Sequence, residues 1–292
     1  MKRRFALLPL MAATVLLLAF AASGAQAQFV SDYITRGEQY LAAGAADNAI
    51  FQFEQALSME PSNTRALFGL GRGLEMRAKV SVVLNYRMEL LSDTSAAREQ
   101  GFPVLTDQGY ADVERAVDAY TRAAQGWPRY TEGYLRAANL RWASGMPDAA
   151  RDLAQRALND DPSAVGAAVL AANIMADAAD YAGATAVLDR AAAASGDRGL
   201  PALVGAYALI QLKQSRPEQA ISLLVSAAGR ADAPAYIFKY LGDAYTASGQ
   251  HQQATDAYQQ AVARDSESIL SRDALGRSLR LAGEHALAAQ HL

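Results

Sequence analysis

One arrangement of small and large side chains returns along this chain at intervals of about 34 residues, and that regularity restricts the fold more than any other property. Its clearest copy runs Phe238, Leu241, Gly242, Tyr245, Gly249, Ala254, Tyr258, Ala261. An earlier copy runs Tyr33, Gly37, Tyr40, Gly44, Ala49, Phe53, Ala56, Pro61. The step from Gly37 to Ala49 equals the step from Gly242 to Ala254. A unit of that length cannot bury its own apolar face, so a chain that repeats it must stack one unit on the next.

The first 27 residues stand apart from this register. Lys2, Arg3 and Arg4 precede an apolar run from Phe5 to Ala22, and Ser23-Gly24-Ala25-Gln26-Ala27 then offers a small-residue cleavage site of the A-x-A kind. The run is about as long as the ~17-residue minimum for crossing a bilayer, so an uncleaved anchor that tethers the chain to the membrane is the rival reading. The A-x-A site follows at once, and no second charged flank stops transfer, so the expectation is a cleaved signal peptide over 1–27 and an exported product over 28–292. Removing Lys2, Arg3 and Arg4 from the 27 basic groups leaves 24 against 30 acidic ones, a net charge near −6. No long basic run survives, which argues against nucleic acid as a partner. With no cysteine in the chain, disulfides, thiolate metal sites, cysteine nucleophiles and a lipid-modified N-terminal cysteine are excluded.

Between the landmarks the residues read as helix. Alanine, leucine, glutamine and glutamate are frequent, apolar positions recur at i, i+3, i+4 and i+7, and no alternating valine-rich strand occurs. Stops fall at Glu60-Pro61, Trp127-Pro128, Asp161-Pro162 and Ala233-Pro234. Shorter breaks fall at Gly44, Gly145, Ser215, Gly249 and Gly283, and Ser215-Arg216-Pro217-Glu218 reads as a capping box. Antiparallel helices approach closely where facing residues are small, so Gly242 is expected against Ala254 and Ala138 against Ala150. Tyr134, Phe238, Tyr245 and Tyr258 then fill the wider gaps, burying roughly 150–250 Å² each.

These positions resemble the tetratricopeptide repeat family. Phe238, Leu241-Gly242 and Tyr245 stand where its first helix wants a large residue, leucine-glycine and tyrosine, and Ala254, Tyr258 and Ala261 match its second helix. The first unit matches at Tyr33, Gly37, Tyr40, Ala49, Phe53, Ala56 and Pro61, with Arg36 in place of leucine. The unit from Thr131 keeps Tyr134, Ala138, Gly145, Ala150, Ala157 and Pro162, with Arg141 in place of tyrosine. The resemblance implies an all-α, right-handed superhelical solenoid of antiparallel helix pairs. The repeats fall near 30–63, 131–164, 165–200, 201–234 and 235–268, with a partial one at 269–292. The stretch 64–130 departs from the pattern. Leu67, Leu70-Gly71 and Leu74 start a first helix, and Ala116, Tyr120, Ala123 and Pro128 finish a second, but Val80 to Glu89 and Gly101-Phe102-Pro103 lie between. Two degenerate repeats fit its length, as does one repeat with an inserted excursion; an irregular pair with distorted helices is the expectation. At the other end, Ala286, Leu287, Ala289 and Leu292 make an apolar stripe, which suggests self-association through the last helix.

No catalytic constellation stands out. His251, His285 and His291 share no helix face with a completing carboxylate, neither H-E-x-x-H nor G-x-S-x-G occurs, and Gly69-Leu70-Gly71-Arg72-Gly73 has no preceding strand or following Gly-Lys-Ser/Thr. The expectation is no enzyme, no cofactor and no metal. In the family, the second, fifth, ninth, twelfth and thirteenth positions of each first helix face the concave surface. The resemblance therefore implies partner-binding roles for Arg65, Phe68 and Arg72, for Leu135, Asn139 and Trp142, for Asn173, for Tyr236 and Lys239, and for Arg277. Asn139 and Asn173 hold the same position in successive units, and an asparagine amide both donates to and accepts from an extended peptide backbone. Trp142 and Tyr236 would add flat, rigid contact area. Together these features point to a periplasmic scaffold or adaptor that holds a protein or peptide in its groove, in secretion, pilus or outer-membrane assembly. A carbohydrate-binding solenoid is the alternative.

Overall fold

The structure, a computed structural model, describes residues 26–78, 105–127 and 131–291. The leader up to residue 25, the elements expected at Val80 to Glu89 and at Gly101-Phe102-Pro103, and Leu292 lie outside the described residues. Among the described residues there are 14 helices and no strand. None of these helices is long and apolar enough to cross a membrane. The chain divides into two compact units, one containing 26–78 and 105–127, the other 131–291.

The first unit holds α1 (26–42), α2 (Ala46–Met59), α3 (Thr64–Arg77) and α4 (Asp107–Gly126). Asn63 Oδ1 accepts from the Ala66 amide at 3.0 Å and Thr106 Oγ1 from the Gly109 amide at 3.1 Å, so α3 and α4 each start on a side-chain cap. α3 packs directly on α4. A Cβ at Gly126 would meet Thr64, Arg77 bonds Asp112, and Gly71 faces the ring of Tyr120, so the two helices run antiparallel. The irregular pair expected over 64–130 turns on residues 79–104, which lie outside the described residues.

Aromatic rings set the spacing in this unit. Phe53 is fully buried on α2 and lies against two glycines at once: a Cβ on Gly37 of α1 would stand 2.7 Å from its ring, and one on Gly69 of α3 would overlap it. Tyr120, also fully buried, lies against Gly71 in the same way and donates from its hydroxyl to Glu75 at 2.6 Å. Asp112 carries no exposed surface, yet it accepts from Arg77 Nε at 2.9 Å, Arg77 Nη2 at 2.6 Å and Gln108 Nε2 at 3.0 Å. That carboxylate holds the Arg77 guanidinium above its ordinary pKa.

The second unit contains five first helices and five second helices. The first helices are α5 (Glu132–Ala143), α7 (Val165–Asp177), α9 (Pro201–Lys213), α11 (Ala235–Ala247) and α13 (Ile269–Leu281). The second helices are α6 (Pro147–Asp160), α8 (Tyr181–Ser195), α10 (Pro217–Ala228), α12 (His251–Arg264) and α14 (His285–His291). Each second helix packs on its own first helix, and α6, α8, α10 and α12 also pack on the first helix that follows. Neighbouring first helices touch along the whole series, so they form one layer and the second helices the other. Between the layers of the first three pairs lies a core rich in alanine, including Ala138, Ala150, Ala168, Ala172 and Ala184, with Trp142, Leu188 and Ile210 among its large members.

Gly242 faces the ring of Tyr258 rather than Ala254: a Cβ on Gly242 would overlap that ring. The glycine of the first helix therefore admits the aromatic of its own second helix, as Gly37 admits Phe53. Alanine at 254 is buried for a different reason, in a cluster with Leu275 and Leu279.

The turns inside the pairs recur at Gly44, Gly145, Ala179, Ser215, Gly249 and Gly283, all with φ between 57° and 82°. Ser215 is thus a left-handed turn residue and no capping box forms; α10 starts from Arg216 with no side-chain cap and with Pro217 in its first turn. L-residues resist this conformation, so Ala179→Gly and Ser215→Gly should each raise stability by about 0.5–1 kcal/mol, read as a higher urea midpoint. An unchanged or lower midpoint would contradict the strain.

Between α8 and α9, burial first and then the Asp189 carboxylate, which accepts from the Tyr207 hydroxyl at 2.8 Å, push the Tyr207 phenol up to about 12. Folding favours the neutral phenol here. Its contribution is complete below the ordinary tyrosine pKa of about 10 and is lost as pH rises toward about 12. Tyr207→Phe should flatten the fall of melting temperature across that window; an identical slope in the variant would remove Tyr207 as its cause.

Candidate functional site

Three successive first helices of the second unit turn one face toward a cavity of about 240 Å³. α7 supplies Val169 and Asn173, α9 supplies Ala202, Gly205, Ala206 and Leu209, and α11 supplies Tyr236 and Tyr240. The spacing is helical throughout, because residues three or four apart share a face. Gly205 decides how close α11 lies: a Cβ there would stand 3.1 Å from the Tyr236 ring. The rings of Tyr236 and Tyr240 are 6.0 Å apart and tilted at 58°. Tyr236 remains 39% exposed, and the burial of its other side raises its phenol pKa. Asn173 is only 8% exposed and its Oδ1 has no hydrogen-bond partner.

Tyr236 and Tyr240 also wall a larger cavity of about 890 Å³, bounded by the loop 231–234, the start of α13 and Arg264. Lys239 lies at its edge, 5% exposed, and donates to Asp243 Oδ2 at 2.9 Å. Asp243 Oδ1 in turn accepts from the Tyr258 hydroxyl at 2.9 Å. Arg264 stacks 3.8 Å above the Phe238 ring. At the other end of the α7–α9 face, Lys213 donates to Asp177 Oδ1 at 2.6 Å, and burial raises the Asp177 carboxyl even so. The charged groups on this face are therefore paired with each other.

Of the residues picked out by register, Asn173, Tyr236 and Lys239 meet around these two cavities. Leu135 and Asn139 are half-buried on α5 and wall neither cavity; Leu135 packs over Gly166. Trp142 requires a correction: it is 4% exposed in the alanine core, so its ring packs helices and offers no contact surface. Arg277 is paired with Asp273 at 3.0 Å. In the first unit Arg65 is tied to Glu38 at 2.6 Å, Phe68 packs against Tyr120 with centroids 5.3 Å apart, and Arg72 is exposed. The residues missed are Tyr240 and the α9 floor. The second, fifth and ninth positions of Pro201–Lys213 are Ala202, Gly205 and Leu209, so the same register finds the floor when applied to α9. A search for polar groups passes over it.

A family model described as a tetratricopeptide repeat-like domain matches residues 113–279. The chain belongs to that tetratricopeptide repeat-like family. Solved structures of repeat proteins share the fold. PilW, described as a widely conserved type IV pilus biogenesis factor, is 17% identical with a TM-score of 0.56, over 86% of this chain and 99% of its own. The APC/C hetero-tetramer Cut9-Hcn1 is 14% identical with a TM-score of 0.58, over 91% of this chain and 46% of that one. Human IFIT1, solved as a dimer with m7Gppp-AAAA, is 16% identical with a TM-score of 0.51, over 91% of this chain and 69% of its own. No curated protein matches the sequence. Tetratricopeptide-type helical repeats are typically scaffolds for other proteins rather than catalysts.

Proposed function

We propose that this repeat protein is an exported scaffold of the bacterial periplasm that holds a polypeptide segment across the exposed faces of α7, α9 and α11. The observation that carries this reading is the junction of three helices at which a buried amide oxygen lacks a partner beside a half-exposed tyrosine. A folded domain left to itself pairs most of its buried acceptors, so an unpaired amide oxygen on a residue that lines a cavity supports a role in recognition. The basic-apolar-A-x-A start supports export. A place in secretion, pilus or outer-membrane assembly fits a scaffold in that compartment, and PilW shows that this fold is used in pilus biogenesis.

A photo-crosslinking residue in place of Tyr240 tests the proposal, with Glu218 on α10 as the outer control. Irradiated cells should yield polypeptide adducts at 240 but not at 218, recovered from the periplasmic fraction. Equal adducts at both positions, or adducts only with cytoplasmic proteins, would refute it.

One observation favours carbohydrate as a second reading: Tyr236 and Tyr240 share the larger cavity with Asp232 and Asp265. Asp232, however, is bonded twice by Arg230, at 3.0 and 3.2 Å, which weakens it as a sugar ligand.

A further inference from the structure

We infer that the Met146 thioether is a site of reversible oxidation, at which a peroxide forms a sulfoxide whose oxygen is then held by Arg141. Met146 follows the left-handed Gly145 in the turn between α5 and α6 and is 45% exposed. Nη1 of Arg141 donates to its Sδ at 3.4 Å. Arg141 stands where the repeat pattern carries tyrosine, so the pair is particular to this turn. After the other left-handed residues of the intra-pair turns come Ala45, Asp180, Arg216, Gln250 and Glu284, none of which contains sulfur. Met146 walls neither of the two cavities.

A thioether is a weak acceptor, whereas a sulfoxide is polar and is returned to the thioether by methionine sulfoxide reductases. In the oxidation a sulfur lone pair attacks one oxygen of hydrogen peroxide. The S–O bond forms and the O–O bond breaks. The departing hydroxide takes the proton of the transferred oxygen and leaves as water. Sulfur gives up two electrons and the peroxide takes them. Within a core the polar product disrupts packing. Here it arises beside a guanidinium, and hydrogen bonds from charged donors are the stronger kind. The position also suits an oxygen acceptor. α6 starts from Met146 with no side-chain cap, whereas Asp180, at the same place in the next pair, accepts from the Gly183 amide at 2.9 Å. Oxidation should therefore tighten the α5–α6 turn. Met76 and Met175 are half-buried against apolar clusters, and Met59, 36% exposed, has no donor at its sulfur among the described residues.

The test treats the full chain with hydrogen peroxide, locates the added oxygen by peptide mass, and follows amide exchange across 144–150. Met146 should be oxidised before Met76 and Met175. Exchange across the turn should then slow about two- to tenfold, the effect of one added hydrogen bond on local opening, and recover after treatment with methionine sulfoxide reductase. In Arg141→Leu, compared with itself before and after peroxide, the slowing should vanish. Met146→Leu, which keeps the apolar shape without the sulfur, should show none either. Exchange that is unchanged or faster after oxidation of Met146 overturns the inference. So does slowing that persists in Arg141→Leu or in Met146→Leu, or a Met146 that resists peroxide as long as Met76 and Met175 do.

Discussion

Asp112→Ala should lower the stability of the first unit by about 3–5 kcal/mol. The carboxylate has no exposed surface and takes three hydrogen bonds, two of them from the guanidinium of Arg77. Removing it leaves Arg77 without its main partner; the weaker contact to the exposed Asp47 carboxylate, at 3.2 Å, remains. Arg77 keeps 27% of its side-chain surface, so water relieves part of the loss and the lower end of the range is the better expectation. Asp112→Asn keeps the shape and some bonding and should cost less. Amide exchange in α3 and α4 is the measurement, because stacked repeats need not unfold in one step. A change below about 1 kcal/mol would mean that the pair contributes little beyond what an apolar pair would.

Phe53→Ala should be as damaging, at about 3–5 kcal/mol, because it removes a fully buried ring and leaves a cavity that two helices line. The glycines make this a test of mechanism as well as of magnitude. Gly69→Ala places a Cβ inside the space held by that ring, and overpacking of this kind costs roughly 1–3 kcal/mol. In a Phe53→Leu background the same glycine substitution should cost measurably less, since the ring it strikes has gone. Equal costs in the two backgrounds would show that the glycine serves helix geometry rather than the ring.

The contrast between Gly242 and Asp112 shows how far sequence reasoning carries. Gly242 sits in a period that Gly37 also obeys, and the step to the aromatic it admits, Tyr258 or Phe53, is the same in both units. The role of small residues was therefore visible, although the partner assigned from sequence was the alanine four positions too early. Asp112 looks like any carboxylate on a helix surface. Its partner Arg77 lies 35 residues earlier, across a segment that breaks the register, so nothing local marks it as buried. Trp142 failed in the opposite direction. Register placed it on the groove, but it is buried in the core cluster that also holds Ala150 and Ala154.

Within the candidate site, Asn173 and Tyr236 were legible from the repeat register, whereas Gly205 and Leu209 had no chemistry to attract notice. They matter only because α9 lies between α7 and α11 and its floor must be low for the tyrosines to approach.

Primary structure alone determined that this chain is helical, paired and repetitive, because helix periodicity, breakers and small-residue spacing are properties of neighbours along the chain. Only the packed molecule decided which carboxylate is buried, which tryptophan is core and which amide oxygen is left without a donor. Those outcomes depend on what side chains from other helices place around each group, and burial is a property of that company rather than of the residue.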